Sequence, residues 1–194
     1  MRPLRNPAGP FRLPIALLLL MFPAGATAQE LALRLDPQHT SVDFTLPDVL
    51  HTIRGSFQVE RGELRFDPGS NKLSGEIVVN AKSGQSGNSM RDRKMHREVL
   101  ESEQYPEIVF RPDHLEGAVT DPVVRVHGIF SIHGTDHEMT VPAKVDVSAE
   151  RWTANMHFLV PYASWGMKNP STFFLRVSGT VEVDVTAAGT VARP

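Results

Sequence analysis

Histidines are the residues of this sequence whose type most readily suggests chemistry. His133 and His137 flank a Gly-Thr-Asp turn, and a hairpin there could bring both imidazoles and Asp136 to one zinc, copper or iron ion. The turn offers no evident third ligand, which favours an exposed turn without a metal. A metal-binding or redox-accessory protein that uses the His133/His137 hairpin is therefore the alternative function. We expect neither a metal site nor a cofactor.

Other signatures of catalysis are incomplete. His137-Glu138 begins like the His-Glu-x-x-His motif of zinc proteases, but Val141 stands where the second histidine belongs. Residues 84–88 read Gly-Gln-Ser-Gly-Asn and lack the final glycine of a nucleophile elbow. The chain has no cysteine, which excludes a thiolate nucleophile and a thiolate zinc site. We predict that the protein is not an enzyme and has no catalytic residues.

A basic cluster follows the polar loop of residues 83–88. Acidic residues are interspersed among its members, which are Arg91, Arg93, Lys94 and Arg97. The simpler interpretation is the solvated face of a short helix. The functional interpretation is a mouth that attracts an anionic head group or a membrane surface while an apolar tail enters the protein. Both interpretations stay open from the sequence.

The elements that must position these residues are predominantly strands. Apolar and polar side chains alternate with period two, as they do in strands with one buried face. Such runs include residues 42–46, 64–66, 124–132, 139–147, 152–160 and 173–185. Three strands carry a glycine in mid-run, Gly55, Gly128 and Gly179, which predicts bends that let a sheet curl shut. About eight to ten strands indicate an up-and-down barrel, whose interior is either filled by side chains or holds one small ligand.

One segment departs from the strand pattern. Residues 90–103 are rich in helix formers, with Asn88 or Ser89 as a cap before them and Pro106 after them. The segment predicts a short amphipathic helix packed over one end of the barrel.

Composition and the first residues bound the class of protein. The chain has 194 residues, 41% hydrophobic and 22% charged, which suits a folded domain. Its 20 basic residues stand against 22 acidic ones, so nothing favours binding to nucleic acid. Residues 1–28 combine an arginine-bearing start, a short apolar run and Ala26-Thr27-Ala28, the pattern of a secretory signal peptide. We predict a cleaved signal peptide, 1–28, and one domain, 29–194, located in the periplasm or secreted.

Several motifs of the predicted mature chain, taken in order, resemble the YceI-like family. Residues 39–44 read His-Thr-Ser-Val-Asp-Phe and residues 54–57 read Arg-Gly-Ser-Phe. Arg91-Asp92 is followed by Tyr-Pro-Glu-Ile-Val-Phe at 105–110, and the hairpin at 128–142 completes the series. The ordered set covers nearly all of the chain after the leader.

The resemblance implies an all-β fold: an eight-stranded antiparallel lipocalin-like barrel with one short helix in a crossover loop. It also implies an elongated apolar cavity for an isoprenoid lipid, such as a quinone tail or polyprenyl chain, held for carriage, storage or stress protection. Two features depart from the family pattern. Asp48 stands where many members have a histidine, and the loop after it is one residue shorter. Residues 160–172 look like one branch of the family.

The predicted ligand-binding residues are apolar side chains expected to line the interior. They are Phe44, Phe57, Phe66, Phe110, Phe130, Ile132, Met156, Phe158, Trp165 and Leu175. Ala154, on the strand of Met156 and Phe158, is expected on the same wall. The expected partner is an isoprenoid lipid or another long apolar small molecule, with transient membrane-surface contact and no nucleic acid. A monomer and a homodimer are both compatible with the sequence.

Overall fold

The chain folds into an antiparallel sheet that closes on itself. The computed structural model describes residues 29–47, 52–171 and 176–192. Within these ranges no helix is long and apolar enough to cross a membrane. The predicted leader, Asp48 and the residues 49–51 after it lie outside the described part. The strands are β1 Leu31–Leu35, β2 Ser41–Pro47, β3 Thr52–Asp67, β4 Lys72–Gln85, β5 Glu107–Glu116, β6 Val124–Ile132, β7 Thr135–Val147, β8 Arg151–Val160 and β9 Val181–Ala192.

Eight strand positions form the closed barrel. Each strand from β2 to β9 pairs with the next one in sequence, and β9 pairs back onto β2. β1 and β2 share one position, because β2 pairs with the first half of β3 and β1 with the second half. A 3-10 turn at Pro37–His39 separates the two, and the Asp36 carboxylate caps it by accepting a hydrogen bond from Gln38 N at 2.9 Å. The prediction of an eight-stranded antiparallel barrel is confirmed.

Apolar residues form two clusters, one at each end of the barrel. The packed-end cluster comprises Leu33, Leu35, Val59, Phe66, Leu73, Leu115, Val124, Ala143, Trp152, Ala154 and Ala187. The capped-end cluster comprises Ala81, Leu100, Ile108, Ile132, Val160, Tyr162 and Met167. Along β8 the first two inward residues are buried in the packed end and the last in the capped end, while Met156 and Phe158 between them are only half-buried. The alternating pattern therefore places two filled ends around a less filled middle.

A helical segment joins β4 to its neighbour β5 and packs at the capped end. It begins as α1, Ser89–Lys94, and continues as a π-helical turn, Met95–Val99, so it is shorter than the predicted 90–103. Of the two predicted caps, Asn88 is the N-cap, and its side chain accepts hydrogen bonds from two backbone N–H groups of the first turn at 3.1 Å each. His96 ties the π-helical turn to a β4 carbonyl oxygen through its Nε2 at 2.8 Å.

The last strand differs from its prediction. The sequence pattern predicts a strand over residues 173–185. Residues 173–175 of that run lie outside the described part, β9 begins at Val181, and Gly179 lies in a bend before it. Before β9 begins, side chains of the preceding loop form hydrogen bonds with the backbone of Val177. Val177 N donates to Ser171 Oγ at 2.9 Å, and the Asn169 side chain donates to Val177 O at 3.2 Å. These local hydrogen bonds compete with strand pairing, and only isolated backbone contacts such as Ser178 N to Pro47 O at 3.1 Å precede the regular ladder of β9.

Gly55 and Gly128 lie inside strands, each beside a β-bulge. A Cβ at Gly55 would overlap the Gln85 carbonyl oxygen and the Phe44 ring. A Cβ at Gly128 would overlap the carbonyl oxygen of β5 opposite and lie 2.7 Å from Pro112 Cα. The register shifts between residues 56 and 58 of β3 and between residues 112 and 114 of β5. Glycine at these two positions permits the close strand approach that accompanies the bulges.

Candidate functional site

The space between the two clusters is a cavity inside the barrel. Its volume is about 620 Å³, within the range of cavities that hold small molecules. It runs from Leu35, Val59 and Ala187 at the packed end to Met90 and Lys94 beside the helical segment. Met90 is 75% exposed, which marks this side as the mouth.

The wall of the cavity consists almost entirely of aliphatic and aromatic side chains from the barrel strands. Many of them face inward and are nevertheless only half-buried, among them Phe57, Phe130, Val183 and Val185. Side chains that face the axis of an eight-stranded barrel can meet across it and exclude all space. Here they leave their inner surfaces uncovered, so the middle of the barrel is hollow.

The structure brings together seven of the ten predicted lining residues. Phe44, Phe57, Phe110, Phe130, Ile132, Met156 and Phe158 line the cavity. Phe66 does not, because it lies near the end of β3, where the packed-end cluster fills the barrel. Trp165 is also not among the lining residues, since its ring stacks on His137 with centroids 3.9 Å apart. Leu175 lies outside the described residues. A ligand-binding role for any of these residues remains a prediction.

Two cations border the mouth of the cavity. Among the described residues that line it, Arg91 and Lys94 are the only charged ones. They are two of the four members of the predicted basic cluster; the other two, Arg93 and Arg97, are exposed. Neither Arg91 nor Lys94 forms an ion pair with a carboxylate in the described part of the chain. No direct ion pair within the described residues therefore neutralises either cation.

Hydrogen bonds hold these two cations in place. Arg91 donates from Nε to Ser86 Oγ at 2.7 Å and from Nη2 to Ser86 O at 2.8 Å. Lys94 Nζ donates to Pro170 O at 3.0 Å, which joins the helical segment to the loop after β8. A second bridge to this loop runs from Lys168 Nζ to Glu98 Oε2 at 2.7 Å, and this hydrogen bond lowers the pKa of Glu98. The mouth is thus a preorganised frame rather than a set of free side chains.

The deeper polar groups of the cavity wall are satisfied by the protein itself. Tyr162 Oη donates to Ser178 O at 2.6 Å, and burial raises the pKa of this phenol. Thr40 Oγ1 donates to Asp36 O at 2.8 Å. The hydroxyl groups of Tyr162 and Thr40 therefore already have partners within the protein. Polar groups that could recognise a ligand lie at the mouth.

The predicted histidine hairpin does not converge on a metal position. His133 Nε2 contacts Glu101 Oε2 at 2.8 Å, and its ring packs on Tyr105. His137 stacks on Trp165 instead. In the described ranges, one group of three residues has the ligand atoms and the proximity to hold a metal ion, and it contains neither His133 nor His137.

That group is Asp113, His114 and His127, on the outside of the barrel. The hydrogen bond from His127 to Asp113 raises the pKa of His127, and Glu138 adds to the shift. Sequence reasoning missed the group because its members lie on two strands, and only the bulge in β5 brings Asp113 to the same face as the histidines. Pro112 within an otherwise regular strand was the available signal.

Comparison with known proteins now places the chain in a family. The family model of the YceI-like domain matches residues 33–188, and the chain belongs to that family. No curated protein matches the chain. Among solved structures, Burkholderia cenocepacia BcnA is 16% identical with a TM-score of 0.68, covering 79% of this chain and 98% of that one.

Two further structures are similar in fold. A polyisoprenoid binding domain from Saccharophagus degradans, implicated in plant cell wall breakdown, is 17% identical with a TM-score of 0.65, covering 84% of this chain and 99% of that one. The Campylobacter jejuni YCEI protein is 14% identical with a TM-score of 0.55, covering 69% and 80%. At these identities the likeness concerns the fold, and it agrees with the resemblance noted in the sequence.

Proposed function

We propose that the protein is a binding protein for a long apolar lipid of the isoprenoid class, which it holds in the barrel cavity. The observation that carries the proposal is the 620 Å³ apolar cavity, closed by the packed end and bordered by charge only at its mouth. The polyisoprenoid binding domain of similar fold supports the choice of isoprenoid over other apolar ligands. The role is binding rather than catalysis.

The energy of such binding comes from the tail. Each methylene-sized group moved from water into the cavity contributes about 0.8 kcal/mol, so ten groups contribute about 8 kcal/mol before the cost of association is subtracted. Association costs at least about 4 kcal/mol, so a tail of about fifteen groups is needed for a net value near 8 kcal/mol, which corresponds to a dissociation constant of about 1 μM. An apolar wall can therefore retain a prenyl chain without a strong polar contact.

The mouth is proposed to select the head group. Arg91 and Lys94 are positioned by neutral partners, Ser86 and Pro170, so a phosphate or another anionic head group gains attraction without breaking an ion pair. The ammonium group of Lys94 has three N–H donors, and within the described residues one of them is used in the hydrogen bond to Pro170 O. The others can bind a ligand. A prenyl chain with an anionic head should bind more tightly than the corresponding alcohol.

We also propose that the predicted signal peptide directs export, and that the protein carries or stores the lipid in the periplasm or outside the cell. Lipids with long prenyl tails are confined to membranes, so a soluble barrel gives them a path through water. A mouth with two cations suits brief contact with an anionic membrane surface during loading. Lipid exchange between two vesicle populations, with and without the protein, separates carriage from storage.

Native mass spectrometry of tag-free protein isolated from cells tests the proposal. We expect an adduct that fragmentation identifies as a prenyl lipid. Protein stripped of lipid should regain the adduct from a long-chain prenol and, more tightly, from the matching prenyl phosphate. A bare mass under both conditions would refute lipid binding.

A matched pair of variants tests the head-group step. Lys94→Gln should weaken binding of the prenyl phosphate and leave that of the prenol unchanged. Arg93→Gln, on the exposed side of the same helix, should change neither. Equal effects of the two variants would show that net charge, and not the mouth, attracts the ligand.

A further inference from the structure

A polar cluster on the outer face of the barrel is unrelated to the cavity. Pro112 pairs with Gly128 and His114 pairs with His127, so Asp113 is an extra residue between two paired positions. Such a bulge turns two successive side chains toward the same face. It thereby sets Asp113 and His114 together opposite His127.

The ligand atoms of the three residues already lie close together. His114 Nδ1 is 2.5 Å from Asp113 Oδ1, and His127 Nδ1 lies 2.8 Å and 3.0 Å from the two oxygens of the same carboxylate. The two imidazoles stack with their centroids 4.6 Å apart. One ligand atom from each residue falls within 4.8 Å of the other two. Both Nδ1 atoms therefore face a single carboxylate.

The other side of His127 is occupied as well. Its Nε2 lies 2.9 Å from Glu138 Oε1, on β7. With Nε2–H donating to Glu138, the Nδ1 lone pair of a neutral ring is directed toward the Asp113 carboxylate, where a metal ion could bind to both. A carboxylate behind a ligating histidine is the usual support of a metal site.

His114 has a similar but looser arrangement. Its Nε2 lies 3.9 Å from Glu116 Oε1, and Arg125 Nε holds the other oxygen of that carboxylate at 3.2 Å. Each imidazole thus has Asp113 on its Nδ1 side and a glutamate on its Nε2 side. The exposed fractions of the Asp113 and His114 side chains, 53% and 47%, leave open positions for water around an ion.

We propose that Asp113, His114 and His127 form a surface binding site for one divalent transition-metal ion. Two imidazole nitrogens and one carboxylate oxygen suit Cu²⁺ and Zn²⁺, and Cu²⁺ should bind more tightly by the general order of stability. The Asp113 carboxylate would supply one oxygen ligand, and water would complete the coordination. The site does not depend on the lipid-binding function, because it lies on the outer face of the sheet.

Metal titration of tag-free protein tests the site. We expect one Cu²⁺ per chain by calorimetry, with nitrogen hyperfine coupling in the electron paramagnetic resonance spectrum, and weaker binding of one Zn²⁺. His127→Gln and Asp113→Asn should each weaken Cu²⁺ at least tenfold. Circular dichroism of both metal-free variants should match the parent, which separates loss of ligands from loss of fold.

The chain offers a matched control. His157 Nδ1 lies 2.8 Å from Asp184 Oδ1 on the same outer surface, with no third ligand group in the described residues. His157→Gln should leave Cu²⁺ affinity unchanged. Absence of stoichiometric Cu²⁺ binding, or equal losses in His127→Gln and His157→Gln, would overturn the proposal and leave the cluster as an ion pair only.

Discussion

Replacing Val185 by phenylalanine tests whether the barrel is hollow. Val185 lines the cavity on β9 between Val42 of β2 and Met156 of β8, and it is half-buried. A cavity of about 150 Å³ accepts a benzene ring, so the new ring fits within the 620 Å³ available. We expect the ligand-free variant to unfold within about 2 °C of the parent, because less than about 0.5 kcal/mol of stability is lost.

The same ring is expected to be costly at Ala154. The sequence places this residue on the cavity wall, but that expectation is wrong. Ala154 is 6% exposed, packs in the packed-end cluster opposite Ala187 and is not among the lining residues. Overpacking of this kind costs about 1–3 kcal/mol, which lowers the unfolding midpoint of a domain of this size by about 2–12 °C. Ala154→Phe is therefore the control for a filled region.

Val185→Phe should also weaken lipid binding. The substitution adds about four carbon atoms to the wall, which displace a similar number of ligand carbons at about 0.8 kcal/mol each. The total of about 3 kcal/mol corresponds to roughly 200-fold weaker binding. Thermal unfolding followed by circular dichroism, and titration of delipidated protein with a long-chain prenol, measure both quantities. The reasoning fails if Val185→Phe is as destabilising as Ala154→Phe, or if it binds the prenol with parental affinity.

Three further predictions concern the frame around the cavity. Since burial raises the pKa of Tyr162, the folded state holds this proton more tightly and stability should fall as pH rises above about 10. In Tyr105→Phe protein the remaining phenol should titrate above pH 10 by absorbance, and a midpoint at the ordinary value would contradict this. Gly128→Ala should lower the unfolding free energy by more than about 2 kcal/mol in chemical denaturation, because its Cβ meets backbone that cannot move aside; a change below about 0.5 kcal/mol would show that the bulge relaxes freely. Asn88→Ala should lower the unfolding free energy by about 1 kcal/mol because it removes the N-cap of α1. Hydrogen exchange of the α1 amides should become faster; an unchanged rate would show that packing alone stabilises the helix.

Much of the barrel could be predicted from sequence because its strands alternate regularly. The runs predicted at 139–147 and 152–160 carry inward apolar residues at every second position. β8 matches its run within one residue, and β7 contains its run but begins four residues earlier, at Thr135. β1 was missed, since Leu31–Leu35 is too short for its alternation to stand out beside the predicted leader. β9 was misplaced because hydrogen bonds from Ser171 and Asn169 take up backbone groups that a strand pattern alone assigns to the ladder.

The cavity could be anticipated only as one of two outcomes. Phe158 and Ala154 lie on the same face of β8. The alternating pattern of the sequence cannot show that Phe158 faces the cavity and that Ala154 packs in the filled end. That difference depends on which side chains arrive from strands far away in sequence. The outer cluster of Asp113, His114 and His127 was missed for a related reason, since an extra residue in a strand reverses the faces expected for the side chains that follow it.

The division of one barrel position between β1 and β2 has a consequence for folding kinetics. All neighbouring strands from β2 to β9 are consecutive in sequence, so each pair can form locally, with the helical segment intervening only between β4 and β5. The exception is the seam, where β9 closes the barrel against β1 and β2. There β9 pairs with β2 at positions such as Ser41 with Thr186, and with β1 at positions such as Ala32 with Ala192. Closing loops of roughly 150 residues is entropically costly and comes after the hairpins. We therefore expect an open curled sheet to precede the barrel, with β9 as a free edge and the apolar inner face in contact with water. Edges of this kind pair readily with other chains, so aggregation during folding is expected to begin at the seam and not at the mouth.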